Sequence, residues 1–337
     1  MEILIKGKDT LLDNKKLKPC EALFLIEFSN AKCIKGKKEL TAIEFIKQQR
    51  INLQEYFFYR DLRLRGFNVY FENFEKQKSK IKRISFKKQK KQKIDFKFKG
   101  FFEGLTTIVE DEKIAKKLYE KYWFGQYATY KLPNLGKFNK LDIFETCFLV
   151  EKGNLKLNIT KKELFEIAKK KIQNFEELYQ VFKDWRKQGF VVKTGFKFGC
   201  DFRIYANAKP NKNIHSKYVL HLLPKEKTRV NELSRAIRVA HSVRKKFILA
   251  LPNAKIKTTK LYMIKKEKKF YLATYLFEEG LINLSEILFL IKQAEKLGVE
   301  PVIGIVDRET SLTYYILRRI NLENSKFNYF EIDWVRL

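Results

Sequence analysis

The segment Asp201-Phe-Arg-Ile-Tyr205 alternates strictly, so a strand here puts Phe202 and Ile204 on one face and Asp201, Arg203 and Tyr205 on the other, with Tyr205 directed away from the core. Ten residues on, His215 opens a second strand-like run, His215-Ser-Lys-Tyr-Val-Leu220. Arg238, His241 or Ser242, and Lys245 follow at i, i+3 or i+4, and i+7, one face of a helix spanning 233–245, while Ile237, Ala240 and Val243 fall on another. A phenol, an imidazole and several cations can thus meet at one polar cleft. The set suits RNA cleavage by its own 2′-hydroxyl, which needs a base for that hydroxyl, an acid for the departing 5′-oxygen and a cation for the crowded phosphate. Histidine, at about 6.5, is matched to the acid; tyrosine, at about 10, is a poor base unless nearby cations lower its pKa. Taken singly, each residue is also explained by ordinary surface exposure or by the preference for cations at a helix C-terminus.

The elements that must position these residues are organised by an internal repeat. Glu21-Ala-Leu-Phe-Leu-Ile-Glu27 is echoed by Glu145-Thr-Cys-Phe-Leu-Val-Glu151, and Tyr59-Arg-Asp-Leu-Arg-Leu-Arg-Gly-Phe-Asn-Val69 by Phe182-Lys-Asp-Trp-Arg-Lys-Gln-Gly-Phe-Val-Val192. The second pair keeps Asp61/Asp184, Arg63/Arg186, Gly66/Gly189 and Phe67/Phe190. In each copy a helix is expected to end at the glycine in the left-handed conformation, and a strand to begin just after it. After the first copy comes 76–99, with twelve basic residues and one acid, Asp95. It reads as an exposed hairpin or edge strand, either a contact for an RNA backbone or simply a solvated charge run. After the second copy the pattern predicts strands near 190–193, 202–205, 218–223 and 247–251, with the helix between the last two. A third segment repeats only the later part of this unit. Asn283-Leu-Ser-Glu286 opens a helix to Leu297 as a capping box, and strands at 301–306 and 312–317 flank the polar turn Asp307-Arg-Glu-Thr-Ser311.

With 71 Lys and Arg against 39 Asp and Glu, the formal charge is +32 over 337 residues, which points to a polyanionic partner. The hydrophobic share of 45% excludes global disorder. No secretory signal and no membrane-spanning or membrane-surface helix is expected, so the location expected is cytoplasmic. Cys20, Cys33, Cys147 and Cys200 are scattered, and with three histidines no metal-ligand cluster is expected from spacing.

The three runs Gly189-Phe-Val-Val-Lys-Thr-Gly-Phe-Lys-Phe-Gly-Cys-Asp-Phe-Arg-Ile-Tyr205, His215-Ser-Lys-Tyr-Val-Leu220 and Arg238-Val-Ala-His-Ser-Val-Arg-Lys-Lys246, in this order, resemble the catalytic unit of archaeal tRNA-splicing endonucleases. The resemblance implies Tyr205 as general base, His215 as general acid and Lys245 as transition-state cation, with Lys246 adjacent to it. It implies cleavage without metal or cofactor, leaving a 2′,3′-cyclic phosphate and a 5′-hydroxyl. Arg238 matches one of the arginines that clamp a bulged base in the family, and Arg203 and Lys246 complete the expected RNA-binding set. Val299 and Glu300 stand where Lys245 and Lys246 would fall in the rear copy, and the front copy has no Tyr-and-His block, so neither flanking copy is expected to be catalytic.

The order of the pieces resembles the three-unit, circularly permuted, homodimeric variety of the family. The architecture expected is α+β: tandem α/β units, with an N-terminal non-catalytic repeat over 1–109, a catalytic unit over 110–266 and a C-terminal non-catalytic half-unit over 267–337. The substrate implied is precursor tRNA with a bulge-helix-bulge motif, and Asp307 and Glu309 are implied at the dimer interface. Two other readings of the chain are an inactive RNA-binding subunit and a metal-dependent DNA nuclease using Asp201.

Overall fold

The structure is a computed structural model that describes residues 1–6, 9–77, 81–86, 89, 93–129, 135–206, 210, 215–224 and 228–337. The chain begins with a five-stranded sheet and three helices. Strands β1 (Glu2–Lys6), β2 (Asp9–Leu12) and β3 (Lys15–Leu17) are followed by α1 (Pro19–Phe28), β4 (Lys32–Lys35), β5 (Lys38–Leu40), α2 (Ala42–Gln49), α3 (Leu53–Leu64) and β6 (Asn68–Tyr70). A short β7 (Ile84–Ser85) comes next. The same plan then recurs with an insertion: β8 (Phe98–Lys99), β9 (Phe101–Glu103), β10 (Thr106–Val109), α4 (Glu112–Tyr122), β11 (Gln126–Tyr127), β12 (Asn139–Asp142), α5 (Ile143–Glu151), β13 (Leu155–Lys156), α6 (Lys161–Lys171) and α7 (Phe175–Lys187). Strand β10 pairs with β12, so this small sheet straddles residue 109.

The remaining elements are β14 (Val191–Thr194), β15 (Phe202–Tyr205), β16 (Tyr218–Leu222), β17 (Thr228–Arg229), α8 (Val230–Ser242), β18 (Lys246–Leu251), β19 (Tyr262–Lys266), β20 (Lys269–Phe277), β21 (Leu281–Ile282), α9 (Leu284–Leu297), β22 (Glu300–Val306), β23 (Leu312–Asn321) and β24 (Asn328–Val335). Strand formation follows the buried apolar runs: β18 is buried at every position from Phe247 to Leu251, and β22 from Pro301 to Val306. They join a large mixed sheet in the order β14-β15-β16-β18-β24-β23-β22-β20-β19-β6.

That order reads the same from either edge. Each half runs antiparallel, antiparallel, parallel, antiparallel, and the halves meet at the antiparallel pair β23–β24. The register places the two-fold between Leu317 and Ile332, which oppose one another. Helices α8 and α9 cover one face, and the pair β17–β21 in front of them crosses the same axis. On the other face, α5 and α7 pack on β14, β15, β16 and β18, and α1 and α3 pack on β6, β19, β20 and β22. The front and rear parts of the chain therefore share one core, with Phe58, Leu62 and Val69 among Tyr262, Ile264, Val302 and Tyr314. We call this the split unit, and 98–251 with β24 the continuous unit.

The repeat is visible atom by atom. Gly66 and Gly189 close α3 and α7 at φ +83 and +90, and in each case the next phenylalanine amide reaches back to the carbonyl of Leu62 or Trp185. Glu27 and Glu151 accept from the hydroxyls of Tyr56 and Tyr179. Strands β19 and β20, which the sequence pattern did not mark, are the counterparts of β15 and β16. Their connection is the tight turn Glu267–Lys268, whereas β15 and β16 are separated by 206–217.

Segment 76–99 is not a hairpin in its described part. Only Ile84–Ser85 and Phe98–Lys99 are strands, each pairing in parallel with a distant partner, β23 and β13. Phe86 stacks edge-on to Trp185, Phe190 and Tyr218, while Ile94 and Phe98 enter the core beneath α4. The alternating apolar residues draw this part down as a strap between the units; residues 78–80, 87, 88 and 90–92 lie outside the described set. All four cysteines are buried and unpaired. Among the described residues no helix is long and apolar enough to cross a membrane.

Candidate active site

Lys245 is placed by the end of α8 and not by its face. The helix stops at Ser242, and Arg244 takes the left-handed conformation at φ +54. The Arg244 amide donates to the His241 carbonyl and the Lys245 amide to the Ala240 carbonyl, the paired bonds of a Schellman turn. This corrects the helix expected to run through 245, and with it the placing of Val243 beside Ile237 and Ala240: Val243 is 45% exposed, on the outside of the turn. The turn swings the Lys245 side chain inward until it is 8% exposed. Its ammonium donates to the Ser216 carbonyl at 2.5 Å and lies 4.9 Å from the Phe198 ring. Burial first, then the neighbouring Arg203, holds its pKa below the usual lysine range. The exposed His215 is the residue before Ser216, so imidazole and ammonium belong to one short stretch of backbone ahead of β16.

Tyr205 ends β15 opposite Val191. Phe202 and Ile204 enter the α7 core as alternation requires, and Tyr205 takes the other face, where it is covered rather than open to solvent. At 6% exposure it lies under Trp123, with ring centroids 4.8 Å apart. Arg203 stands between the two ends of the site. Its guanidinium is anchored on the Thr194 carbonyl at 2.7 Å, lies 5.8 Å from the Tyr205 ring and is close enough to Lys245 to disfavour the lysine's charge. Tyr205, Arg203, Lys245 and the His215–Ser216 backbone are thus brought together.

The other expected contacts lie elsewhere. Lys246 follows Lys245 but points to the opposite face of the strand, where its ammonium meets the buried Glu331 carboxylate of β24 at 2.6 Å. Arg238 is exposed one turn before the end of α8, with its charge near Tyr315 of β23. Asp307 folds its carboxylate onto the amides of Glu309 and Ser311 in its own turn, and Glu309 is exposed. Asp201 is engaged with the His221 ring at 3.0 Å and the Leu222 amide at 2.7 Å. Among the described residues no three His, Cys, Asp or Glu side chains form a group able to hold a metal ion.

Trp123 is the residue that sequence reasoning missed. It caps α4 in the left-handed conformation, and its carbonyl accepts from Arg186 at 2.9 Å. Next to it, Gly125 donates to Glu145 and accepts from Lys193, which is also paired with Glu145 at 2.6 Å. Gly125 must be glycine: φ is +71, and a Cβ would fall 1.8 Å from Asn139 Oδ1. Burial holds the Arg186 guanidinium down at about 10 and depresses the Lys193 ammonium, the opposing pull of Glu145 notwithstanding. This buried network fixes the indole over Tyr205. The signal available in the sequence was the break in the repeat: where the front copy turns from β2 to β3 through Asp13–Asn14, the second copy inserts α4 and Trp123.

The Schellman registers of α8 and α9 superpose Lys245 on Val299 and Lys246 on Glu300, and the strand registers superpose Tyr205 on Lys265. The insertion that carries α4 and Trp123, which covers Tyr205, is confined to the continuous unit. Its composition, a buried lysine, a covered tyrosine, an exposed histidine and an arginine bridging them, suits acid–base and electrostatic work on a phosphodiester.

Known families agree with that class. The profile for the tRNA intron endonuclease catalytic C-terminal domain matches residues 175–259, and that for the tRNA intron endonuclease N-terminal domain matches 98–169. The chain is 32% identical over 164 residues to the tRNA-splicing endonuclease of Pyrobaculum islandicum, covering 89% of that protein and 45% of this chain. It is 32% identical over 167 residues to that of Thermococcus onnurineus, covering 90% and 48%, and 34% identical over 158 residues to that of Pyrococcus abyssi, covering 86% and 45%. The chain belongs to the archaeal tRNA-splicing endonuclease family, and it is an endoribonuclease.

Proposed function

We propose that the chain cuts precursor tRNA at bulge-helix-bulge intron–exon junctions by metal-free transesterification, with Tyr205 as base toward the 2′-hydroxyl, His215 as acid toward the 5′-oxygen and Lys245 as the cation for the phosphate. The 2′-oxygen attacks phosphorus as its proton leaves for Tyr205; the P–O5′ bond breaks as His215 donates its proton. The products are a 2′,3′-cyclic phosphate and a 5′-hydroxyl, so atoms and charge balance with no further reactant. One observation carries this reading: the Lys245 ammonium is bound to the Ser216 carbonyl, one residue from His215, while Arg203 spans from Lys245 to Tyr205. The packing of Trp123 on Tyr205 supports a fixed base, with the Arg203 guanidinium 5.8 Å from its ring.

In this proposal Arg203 and Arg238 contact the RNA, a guanidinium on a base face being tolerant of sequence. Lys246, bound to Glu331, serves the fold first and the RNA only through its half-exposed stem. The chain is proposed to be the three-unit, permuted form, the split unit acting as a non-catalytic mate, and to pair as a two-fold homodimer with two sites for two bulges. Asp307 and Glu309 face a basic cleft of the second copy.

The test is a bulge-helix-bulge RNA incubated with the purified chain in EDTA, with His215→Ala as control and analysis of the new ends. Cyclic-phosphate ends that the substitution abolishes are expected. Cleavage only with Mg²⁺ would establish the metal nuclease instead, and binding without cleavage in either buffer the inactive subunit. Charge reversal at Asp307 and Glu309 to lysine is expected to shift the dimer to monomer in sedimentation; an unchanged dimer at low concentration removes their role.

A further inference from the structure

The continuous unit closes the corner between β14 and β15 with the turn 195–201, in which the Gly195 amide donates to the Asp201 carbonyl and Phe196–Phe198 forms a single 3-10 turn. The split unit has no such closure. There β6 runs out through Phe71 to Phe74 toward the strap, and β19 is entered from the separate segment Thr259–Leu261. The open corner is a cavity of about 670 Å³, within the range of small-ligand sites. Three phenylalanines, Phe71, Phe74 and Phe289, stand in its apolar lining beside Ile51 and Leu261.

Its polar groups divide into two kinds. Lys18 is paired with Glu72, and Lys260 with Glu55, which also accepts from Tyr262 at 2.7 Å. The Arg50 guanidinium and the amides of Gln49 and Gln293 make no hydrogen bond or ion pair with any described residue, although all three line the cavity. Three cations against two carboxylates leave a single excess positive charge. That is too little to select an acidic peptide, but aromatic faces, amide edges and one guanidinium are what an unstacked base with its phosphate requires.

We infer that this cavity is a second RNA site, which takes a single-stranded base of the precursor tRNA between Phe71, Phe74 and Phe289, with Arg50 on the adjoining phosphate. The base lies outside the cleavage site, and the inference rests on the proposed tRNA-cleaving function. It assigns the split unit a task in substrate binding, arising from the place where the repeat is cut open.

Single-turnover cleavage of precursor tRNA, with enzyme in excess, separates the two proposals. If the parent chain does not cleave, the functional proposal fails on its own account. With an active parent, Arg50→Ala and Phe289→Ala are expected to raise the half-saturating enzyme concentration roughly fivefold to tenfold with the plateau rate within about twofold, as loss of binding remote from the chemistry requires. Precursor tRNA carrying 4-thiouridine in its single-stranded positions is expected to crosslink to Phe71, Phe74 or Phe289. Arg50 is exposed, so its variant tests the site even where Phe289→Ala fails to fold. Unchanged half-saturation for Arg50→Ala, crosslinks confined to 98–251, or conversion of Arg50→Ala to a monomer, which would make the cavity a protein interface, each overturns the inference.

Discussion

Tyr314 and Tyr329 are two-fold mates, each donating its hydroxyl to the same aspartate of the repeat, Tyr314 to Asp61 at 2.7 Å and Tyr329 to Asp184 at 2.9 Å. The aspartates sit on α3 and α7, the tyrosines on the central strands β23 and β24, so each bond ties a helix of one unit to the sheet. Asp184 also accepts from the Lys326 amide and from Gln180. Asp184→Ala is expected to cost about 1–3 kcal/mol for each buried group it strands. Tyr329→Phe should cost less, because Asp184 keeps its other donors. Urea unfolding of the two variants checks the order.

The adjacent lysines are expected to separate chemistry from stability. Lys245→Ala should lower the cleavage rate about 10²- to 10³-fold, the scale for losing one preorganised electrostatic contact, with a melting temperature close to the parent's. Lys246→Ala leaves the Glu331 carboxylate, 2% exposed, without its cation, and should lower the melting temperature while cleavage survives below it. Reversed effects would transfer the proposed catalytic role to Lys246.

Trp123→Ala removes the cover of Tyr205. A loss of about 3–5 kcal/mol is expected from the vacated volume, together with a slower cleavage step. Trp123→Phe retains an aromatic face and should recover most of the rate; if it is as slow as alanine, the indole does more than hold the phenol in place.

Stability should fall as pH rises through the acid range because of Asp142. Burial first, then the Glu145 carboxylate beside it, pushes this carboxyl up to about 7. A carboxyl that holds its proton more tightly when folded stabilises the fold fully below the unfolded value of about 4, and that contribution is lost as pH climbs to about 7. Asp142→Asn keeps a side chain able to cap α5 and removes the titration. Melting temperatures measured across that window should decline in the parent and stay flatter in the variant.

Arg244 is a non-glycine residue at the left-handed position that glycine fills after α9, where Gly298 stands at φ +73. Arg244→Gly should stabilise by up to about 1 kcal/mol through relief of that conformation, read as a higher melting temperature with Lys245 still in place. A lower melting temperature would mean that the guanidinium contributes more than the backbone strain costs.

Much of the fold was legible in the sequence, because the signals were local. Gly66 and Gly189 marked two helix ends, apolar runs marked β18 and β22, and the Asn283 cap marked the start of α9, although its side chain accepts from Ser285 alone. The α+β class followed from that mixture of elements. What could not be read depended on distant partners. Strands β19 and β20 were hidden because their connection had shrunk to two residues, which erased the motif that identified β15 and β16. Lys245 was assigned to the right neighbourhood by the wrong geometry, since helical spacing and a Schellman turn both bring it past Arg238. Alternation put Tyr205 on the face away from the core, but it specifies a face and not what covers it; the cover comes from residue 123, in an insertion with no counterpart in the front copy.

The strand β24 completes the sheet beside β18, yet every residue from β19 to β23 lies between them in sequence. A ribosome therefore finishes His215, Lys245 and Lys246 long before it makes Glu331, and until then β18 presents an unpaired edge and Lys246 has no carboxylate to hold. The order of synthesis makes the catalytic half of the molecule wait for the other half. A nascent chain stalled before residue 328 should carry the complete set of candidate catalytic side chains and still remain open to protease along β18.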